Sequence, residues 1–294
     1  MKNEISVGPA GWVRLVDTMP GMQSGTLDVA IVQAARTSNG AGSKGPESDQ
    51  SLIRYLMRHR HTSPFEMVEF KFHLKMPIFV ARQWMRHRMA SINEYSARYS
   101  AVPDACAIPK VTDIRTQSYV NKQGSDLLDF PGNEASAFVD EMKLLYKQAY
   151  GAYTEALNAG VAREQARMIL PQNMYTEFYW KIDLHNLLNF LKLRMDSHAQ
   201  KEIQDFAKAC HSLIAPLVPV TMQAFEDYVL NAVTLSKVDI ACLKELLNNS
   251  EASEKSNKAI SLLSKTEAAE FEEKLRVLQS GLVKRFLLAR EKQP

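Results

Sequence analysis

The densest chemistry in the chain lies at residues 82–100, RQWMRHRMASINEYSARYS. Between positions 82 and 98, four arginines (Arg82, Arg86, Arg88, Arg98) meet one acid, Glu94. That surplus equals the formal net charge of the whole chain, +3, so everything outside the segment sums to zero. A guanidinium is a planar fork of donors that matches phosphate or carboxylate bidentately, whereas Lys, absent here, acts as a point charge. Arg mixed with Ser, Asn and Tyr suits a small anionic ligand; the plainer alternative is a solvated helix face with ordinary salt bridges. Arg86, His87 and Arg88 fall where helical periodicity gives out. In irregular backbone such a run can serve two ligands, one on each side. Seven residues then separate Arg88 from Ser96. It has no His/Asp partner at a usable spacing, and an unactivated hydroxyl is a weak nucleophile, so covalent catalysis through it is disfavoured.

The rest of the composition narrows the classes. With 294 residues, 46% apolar and 23% charged, the chain can bury a sizeable core. Its three cysteines, Cys106, Cys210 and Cys242, form no CxxC pair, so neither a disulfide framework nor a metal site is expected. None has an activating neighbourhood in sequence, which disfavours chemistry through a Cys nucleophile. No run reaches the roughly 18 apolar residues of a membrane span. The start, MKNEISVGPAGWVRL, lacks a secretory pattern. A cytoplasmic protein with no membrane partner is expected. An RNA- or nucleotide-binding module is the competing class, but the neutral remainder argues against an extended nucleic-acid track. No GxGxxG loop is present, so no Rossmann unit is expected.

The elements that must position these residues follow from periodicity. Residues 13–16 suit a short strand and 27–36 a helix. The Gly/Ser-rich run 38–45 is a loop, after which Ser48–Asp49 can cap a helix through Arg60. Residues 67–75 alternate, with Val68, Phe70, Phe72 and Leu74 on one face and Glu69, Lys71, His73 and Lys75 on the other, as a half-buried strand does. Pro77 opens a helix to about Arg86. Residues 101–133 read as an excursion. A long helix at 134–159 ends at Gly160, a short one at 163–170 stops at Pro171, and 174–182 is strand-like. Helices are expected at 184–195, 197–213 and 221–232, with helical patches at 238–247, 267–278 and 282–290. The fold class is α+β, a helix-rich subunit around a modest mixed or antiparallel sheet. A catalytic unit spans 1–232, and 233–294 is a C-terminal helical extension.

The Arg-His-Arg run followed by seven residues and Ser resembles the signature of the flavin-dependent thymidylate synthases. Similar segments occur in family order: His61-Thr62-Ser63-Pro64-Phe65-Glu66, Ala166-Arg167-Met168-Ile169-Leu170-Pro171, Asn189–Arg194 and Asp196–Gln200. The resemblance covers roughly residues 12–230. It implies synthesis of dTMP from dUMP, with methylenetetrahydrofolate as one-carbon donor and NADPH as reductant through bound FAD. It also implies a homotetramer with shared active sites. Carried over residue by residue, it assigns cofactor contacts to His61, Ser63, Arg86, His87, Arg88, Glu94 and Asn189, and more remotely Ser38. Substrate contacts fall to Gln83, Arg86, Glu94, Tyr95, Ser96, Ala97, Arg98, Arg167 and Arg194. Arg194, beside the pyrimidine N3/O4 edge, is expected to be catalytic, stabilising charge on the ring so that C5 becomes the nucleophile. The chain departs from the family at Asp183-Leu184-His185, where relatives carry an Asn-Ala-Arg-like triplet on FAD. Asp183 and His185 are carried forward as cofactor contacts in its place. Phe70, Phe72, Phe190 and Leu193 are expected in the core.

Overall fold

The computed structural model describes residues 3–21, 26–37, 44–119, 124–126, 130–248, 271–272 and 274–275. The chain forms two compact units, Met1–Leu230 and Asn231–Pro294. The strands are β1 (Glu4–Val7), β2 (Gly11–Met19), β3 (Glu69–Pro77), β4 (Ser91–Glu94), β5 (Thr116–Gln117), β6 (Ser125–Asp126) and β7 (Tyr175–Asp183). The helices of the first unit are α1 (Asp28–Arg36), α2 (Pro46–Arg58), α3 (Ile78–Trp84), α4 (Gly132–Asn158), α5 (Arg163–Ala166), α6 (Leu184–Arg194), α7 (Lys201–Ile214) and α8 (Pro219–Phe225). A five-stranded sheet runs in the order β1-β2-β3-β7-β4, with every pairing antiparallel. β5 and β6 pair separately inside the 101–133 excursion.

The alternation of β3 dictates its two faces. Phe70, Phe72, Leu74 and Met76 are fully buried, and the register sets Phe70 against Ile182, Phe72 against Trp180 and Leu74 against Phe178. Each such side chain contributes about 1.5–3 kcal/mol on burial. The opposite face carries Lys71, His73 and Lys75 beside Tyr179, Lys181 and Glu177; His73 stacks on Tyr179 with centroids 4.4 Å apart. Near its start β2 must pass close to α7. A Cβ at Gly11 would lie 2.7 Å from Phe206 Cζ and 2.7 Å from the Val7 carbonyl oxygen, so only glycine fits.

Several boundaries differ from the periodicity reading. β2 runs well beyond residues 13–16, with a register shift between Leu15 and Asp17 that breaks its alternation. α2 starts at Pro46 in its first turn and has no side-chain cap, so Ser48–Asp49 lie inside it. α8 starts at Pro219 rather than 221. Its cap is Asp28 of α1, whose carboxylate accepts from the backbone N–H groups of Val220 and Thr221 and from the Thr221 hydroxyl. α8 then passes into a π-helical turn, Glu226–Leu230. β1 and β4 carry no periodicity signal that predicts them. β4 is an edge strand with four exposed residues, which leaves no apolar alternation to detect.

In the second unit α9 (Lys237–Asn248) begins with a capping pair. Asp239 N–H donates to Ser236 Oγ, and Ser236 N–H donates to Asp239 Oδ2. Lys274 Nζ also reaches Asp239 Oδ2, at 2.6 Å. Most of the expected patch 267–278 and all of 282–290 lie outside the described residues, as do Ser38 and most of the 38–45 loop. Among the described residues no helix is long and apolar enough to cross a membrane.

Candidate active site

An aromatic block fixes the two elements that carry the key residues. Trp84, the last residue of α3, is fully buried against Phe190 of α6 (centroids 4.3 Å apart) and Trp180 of β7 (5.0 Å). The Trp84–Trp180 pair is edge-to-face, and such a pair adds about 0.5–1.5 kcal/mol beyond its area. The indole nitrogens of Trp84 and Trp180 have no hydrogen-bond partner, so both rings serve packing alone. With Trp84 anchored, the chain turns at Met85 and Arg86 and leaves the helix, and His87 and Arg88 sit in irregular backbone. The α3 end and α6 thus face each other.

That packing brings His87 and Arg194, 107 positions apart, into one bond: Arg194 Nε–H donates to His87 Nε2 at 2.9 Å. Arg194 Nη2 also reaches the Gln83 carbonyl at 3.4 Å. His87 lies edge-on to Phe190, 4.8 Å between centroids. Burial, reinforced by the Arg194 guanidinium, lowers the His87 pKa to about 4, so the ring is neutral at physiological pH and free to accept. Burial also lowers the Arg194 pKa from its usual value. With Nε and part of Nη2 engaged, the remaining guanidinium N–H groups are available to a ligand.

The Gln83 side chain is held from the other direction. Its Nε2 donates to Gln200 Oε1, Gln200 Nε2 donates to Glu202 Oε2 at 2.7 Å, and Arg115 Nη2 donates to Glu202 Oε1. A carboxylate can only accept and Arg can only donate, so this relay has one polarity and leaves the Gln83 side-chain carbonyl oxygen as its open end.

The segment after β4 forms the second part of the site. Glu94 ends β4 opposite Phe178, and its Oε1 accepts from the buried Thr176 hydroxyl at 2.7 Å. Tyr95 donates its hydroxyl to the Ala101 carbonyl. Ser96 Oγ accepts from Arg98 N–H at 3.3 Å, and Ala97 is partly buried beside them. Arg98 Nε lies 3.5 Å from the Glu164 carboxylate, while Arg167 Nε donates to the Glu164 carbonyl at 3.4 Å. Glu164 therefore gathers Arg98 and Arg167 in one place.

The remaining candidates lie around the start of α6. Asp183 caps that helix: its carboxylate accepts from Asn186 N–H at 2.9 Å and from Asn186 Nδ2 at 2.7 Å. That occupies the side chain expected to touch a cofactor. Asn189 Nδ2 donates to His185 Nε2 at 3.2 Å, so those two stand together one helical turn apart. His61 and Ser63 lie exposed in the turn before the 3-10 helix Phe65–Met67, which packs on α6. The His61 ring sits edge-on to Tyr55, 5.7 Å between centroids. Phe70, Phe72 and Phe190 are core as expected, but Leu193 is 57% exposed because it shares the outward face of α6 with Asn189. Among the described residues no cluster of His, Cys, Asp and Glu could hold a metal ion.

Thr176, Glu164, Gln200, Glu202 and Arg115 escape a reading of the sequence. Each acts through a partner far away in the chain; Gln200 alone lies in a segment that resembles the family, Asp196–Gln200, and nothing local there marks its bond to Gln83.

Comparison with known proteins identifies the family. The sequence profile of the family described as thymidylate synthase complementing protein matches residues 14–220. The flavin-dependent thymidylate synthase of Dictyostelium discoideum is 47% identical over 277 residues, covering 94% of this chain and 87% of that protein. Its namesake from Thermus thermophilus is 51% identical over 245 residues, covering 83% and 86%. Among solved structures, the UMP/dUMP methylase PolB of Streptomyces cacaoi bound with 5-Br dUMP aligns with a TM-score of 0.66 at 34% identity, covering 77% of this chain and 99% of that one. The chain belongs to the thymidylate synthase complementing protein family, the family of the flavin-dependent thymidylate synthases.

Proposed function

We propose that this protein makes dTMP from dUMP, with methylenetetrahydrofolate as the one-carbon donor and NADPH as the reductant through bound FAD. The observation that carries the reading is the junction of Arg194 with His87 and the Gln83 carbonyl, which aims a partly desolvated guanidinium beside the Arg-His-Arg turn. The donor set also fits a dinucleotide. Arg86 and Arg88 are exposed on either side of His87, and among the described residues neither has an acidic partner, as a pyrophosphate and an electron-rich ring require. The cofactor residues are then Arg86, His87, Arg88 and Glu94 on one side, with His61, Ser63, His185 and Asn189 on the other. Asp183 contributes by capping the helix that bears the last two. FAD, when bound, supplies the hydride route from NADPH to the incoming carbon.

The protein's own residues do the rest. Gln83, Arg86 and Glu94–Arg98 bind dUMP, with Arg98 and Arg167 on the phosphate; the contact of both arginines with Glu164, Arg98 at its carboxylate and Arg167 at its backbone carbonyl, supports that pairing. Arg194 stands at the N3/O4 edge of the uracil. A cation there stabilises the anionic form of the ring, in which C5 is electron-rich; C5 bonds to the one-carbon unit as that carbon's bond to the folate nitrogen breaks, and the C5 proton then leaves, with no thiolate at C6. The three thiols fit this economy. Burial pushes the pKa values of Cys106, Cys210 and Cys242 up, the reverse of an activated nucleophile.

The proposal includes a homotetramer with shared sites. Met89, Tyr99 and Met168, around the site, are 71%, 78% and 80% exposed, and α4 also presents Phe138, Leu144 and Leu145 outward. A lone subunit rarely leaves so much large apolar surface open. A cytoplasmic location is part of the same proposal, in keeping with three free thiols. The test is reconstitution. Purified protein should be yellow, its flavin absorbance should bleach with NADPH in the absence of oxygen, and dTMP should form only with dUMP, methylenetetrahydrofolate and NADPH together. Protein that takes up no FAD and forms no dTMP overturns the reading.

A further inference from the structure

Residues 95–107, which leave β4 and carry Ser96, Ala97 and Arg98, contain no strand or helix of their own. The segment is tied to β7 at Tyr95 and beside Cys106, and between those ends Val102 is its anchor to α4. Its N–H donates to the Tyr153 hydroxyl oxygen at 2.9 Å, and its carbonyl accepts from the Tyr150 hydroxyl at 3.0 Å. Both polar groups of one residue are thus held by side chains of α4. A third tyrosine, Tyr146, donates to Asp104 two residues further on. Tyr146, Tyr150 and Tyr153 stand at helical spacing, so they line one stripe of α4, with successive ring centroids 6.0 and 5.8 Å apart.

This stripe is the middle of a small satellite core. Val102, Tyr153, Ala166 and Met174 are buried in it, and Ala97, Ile78 and Leu170 pack against it. Two of its members carry the consequence. Ala97 directly precedes Arg98, and Ala166 directly precedes Arg167. The backbone positions of both arginines are therefore set by one packing unit, tied to Val102 through the two hydroxyls. α4 is otherwise lightly held: of its 27 residues only Ala135, Val139 and Tyr153 are buried.

We infer that Tyr150 and Tyr153 are positioning residues for the nucleotide phosphate, clamping Val102 so that Arg98 and Arg167 keep the spacing that grips one phosphate. The inference rests on the reading of residues 95–98 as the dUMP loop and extends it to α4. Removing the hydroxyls should loosen phosphate recognition while leaving the pyrimidine chemistry at Arg194 in place.

The test compares the flavin-loaded wild-type enzyme with the Tyr150→Phe/Tyr153→Phe double variant, which keeps both rings. Two hydrogen bonds of ordinary strength predict a rise of about tenfold in KM for dUMP, with kcat and flavin content within about twofold of wild type. The decisive readout is the preference for dUMP over deoxyuridine, which lacks the phosphate. That preference should shrink by about the same factor as KM rises, an effect that general loosening of the fold does not produce. An unchanged preference overturns the inference. Arg98→Ala is the control for the underlying reading: if it too leaves the preference untouched, the loop does not hold the phosphate and the inference falls with it. If the preference shrinks in Arg98→Ala but not in the double variant, only the role of the tyrosines fails. Tyr150→Phe alone, at a partly exposed ring, gives the same comparison should the double variant fail to fold.

Discussion

Acidification offers a quantitative probe of the bond between Arg194 and His87. His87 can accept from Arg194 only while neutral, and the folded protein holds its pKa at about 4, against about 6.5 for a free imidazole. The folded state therefore disfavours the proton that the unfolded chain accepts readily. A depressed His pKa contributes stability that is complete above about pH 6.5 and is lost as pH falls from there toward 4. At pH 5 those two values correspond to a loss of about 2 kcal/mol relative to pH 8. His87 is partly open to solvent, so screening reduces this to about 1 kcal/mol. His87→Phe removes the titration and keeps a ring against Phe190. Its stability at pH 8 falls because Arg194 loses its acceptor, but the slope with pH is what matters. Scanning calorimetry of both proteins at one concentration should show the wild-type Tm dropping about 2–4 °C more than the variant's between pH 8 and pH 5. Parallel pH dependence in the two proteins would refute the claim that His87 is held neutral by burial beside Arg194.

Three further outcomes follow from the geometry. Thr176→Val removes the hydroxyl that holds Glu94 and should raise KM for dUMP about fivefold with little change in Tm, since the bond lost is a single ordinary one; steady-state kinetics checks it. Asp183→Ala removes the cap of α6 and should cost about 1 kcal/mol of stability in chemical denaturation. Flavin content of the purified protein should stay at the wild-type level, because the carboxylate serves the helix rather than the cofactor. Cys106→Ser should retain dTMP formation within about twofold, because a raised thiol pKa offers no thiolate nucleophile.

The parts of this protein legible in its sequence are those whose causes are local. β3 announces itself because every second residue from Phe70 to Met76 must enter the core. The Arg-His-Arg turn is legible because its chemistry is contiguous. Arg194 is different. Only family resemblance singles it out of a Leu-rich helix, and its physical rationale, the bond to His87, appears once Trp84 and Phe190 pack. Illegible features depend on distant partners. Asp28 caps a helix whose Thr221 lies 193 positions later, so local signals point to Thr221 itself as the start. Thr176 meets Glu94 only because β4 pairs with β7, and four exposed residues give no hint of that pairing. Asp183 reads as a departure from a cofactor motif until its carboxylate is seen on Asn186. A cap signal is present there, since Asp before a Leu-rich helix is a favoured N-cap.

In the proposed reaction Arg194, oriented by His87 and the Gln83 carbonyl, activates the pyrimidine at C5. Tritium release from dUMP labelled at C5 measures that step directly, because the label leaves as the new carbon bond is completed. Wild-type enzyme with NADPH and methylenetetrahydrofolate should release tritium in step with dTMP. Arg194→Ala, with its flavin still bound and still reduced by NADPH, should release it at least about a hundredfold more slowly, the scale of losing one preorganised donor in a transition state. Release from that variant at near the wild-type rate would mean that Arg194 does not activate the ring.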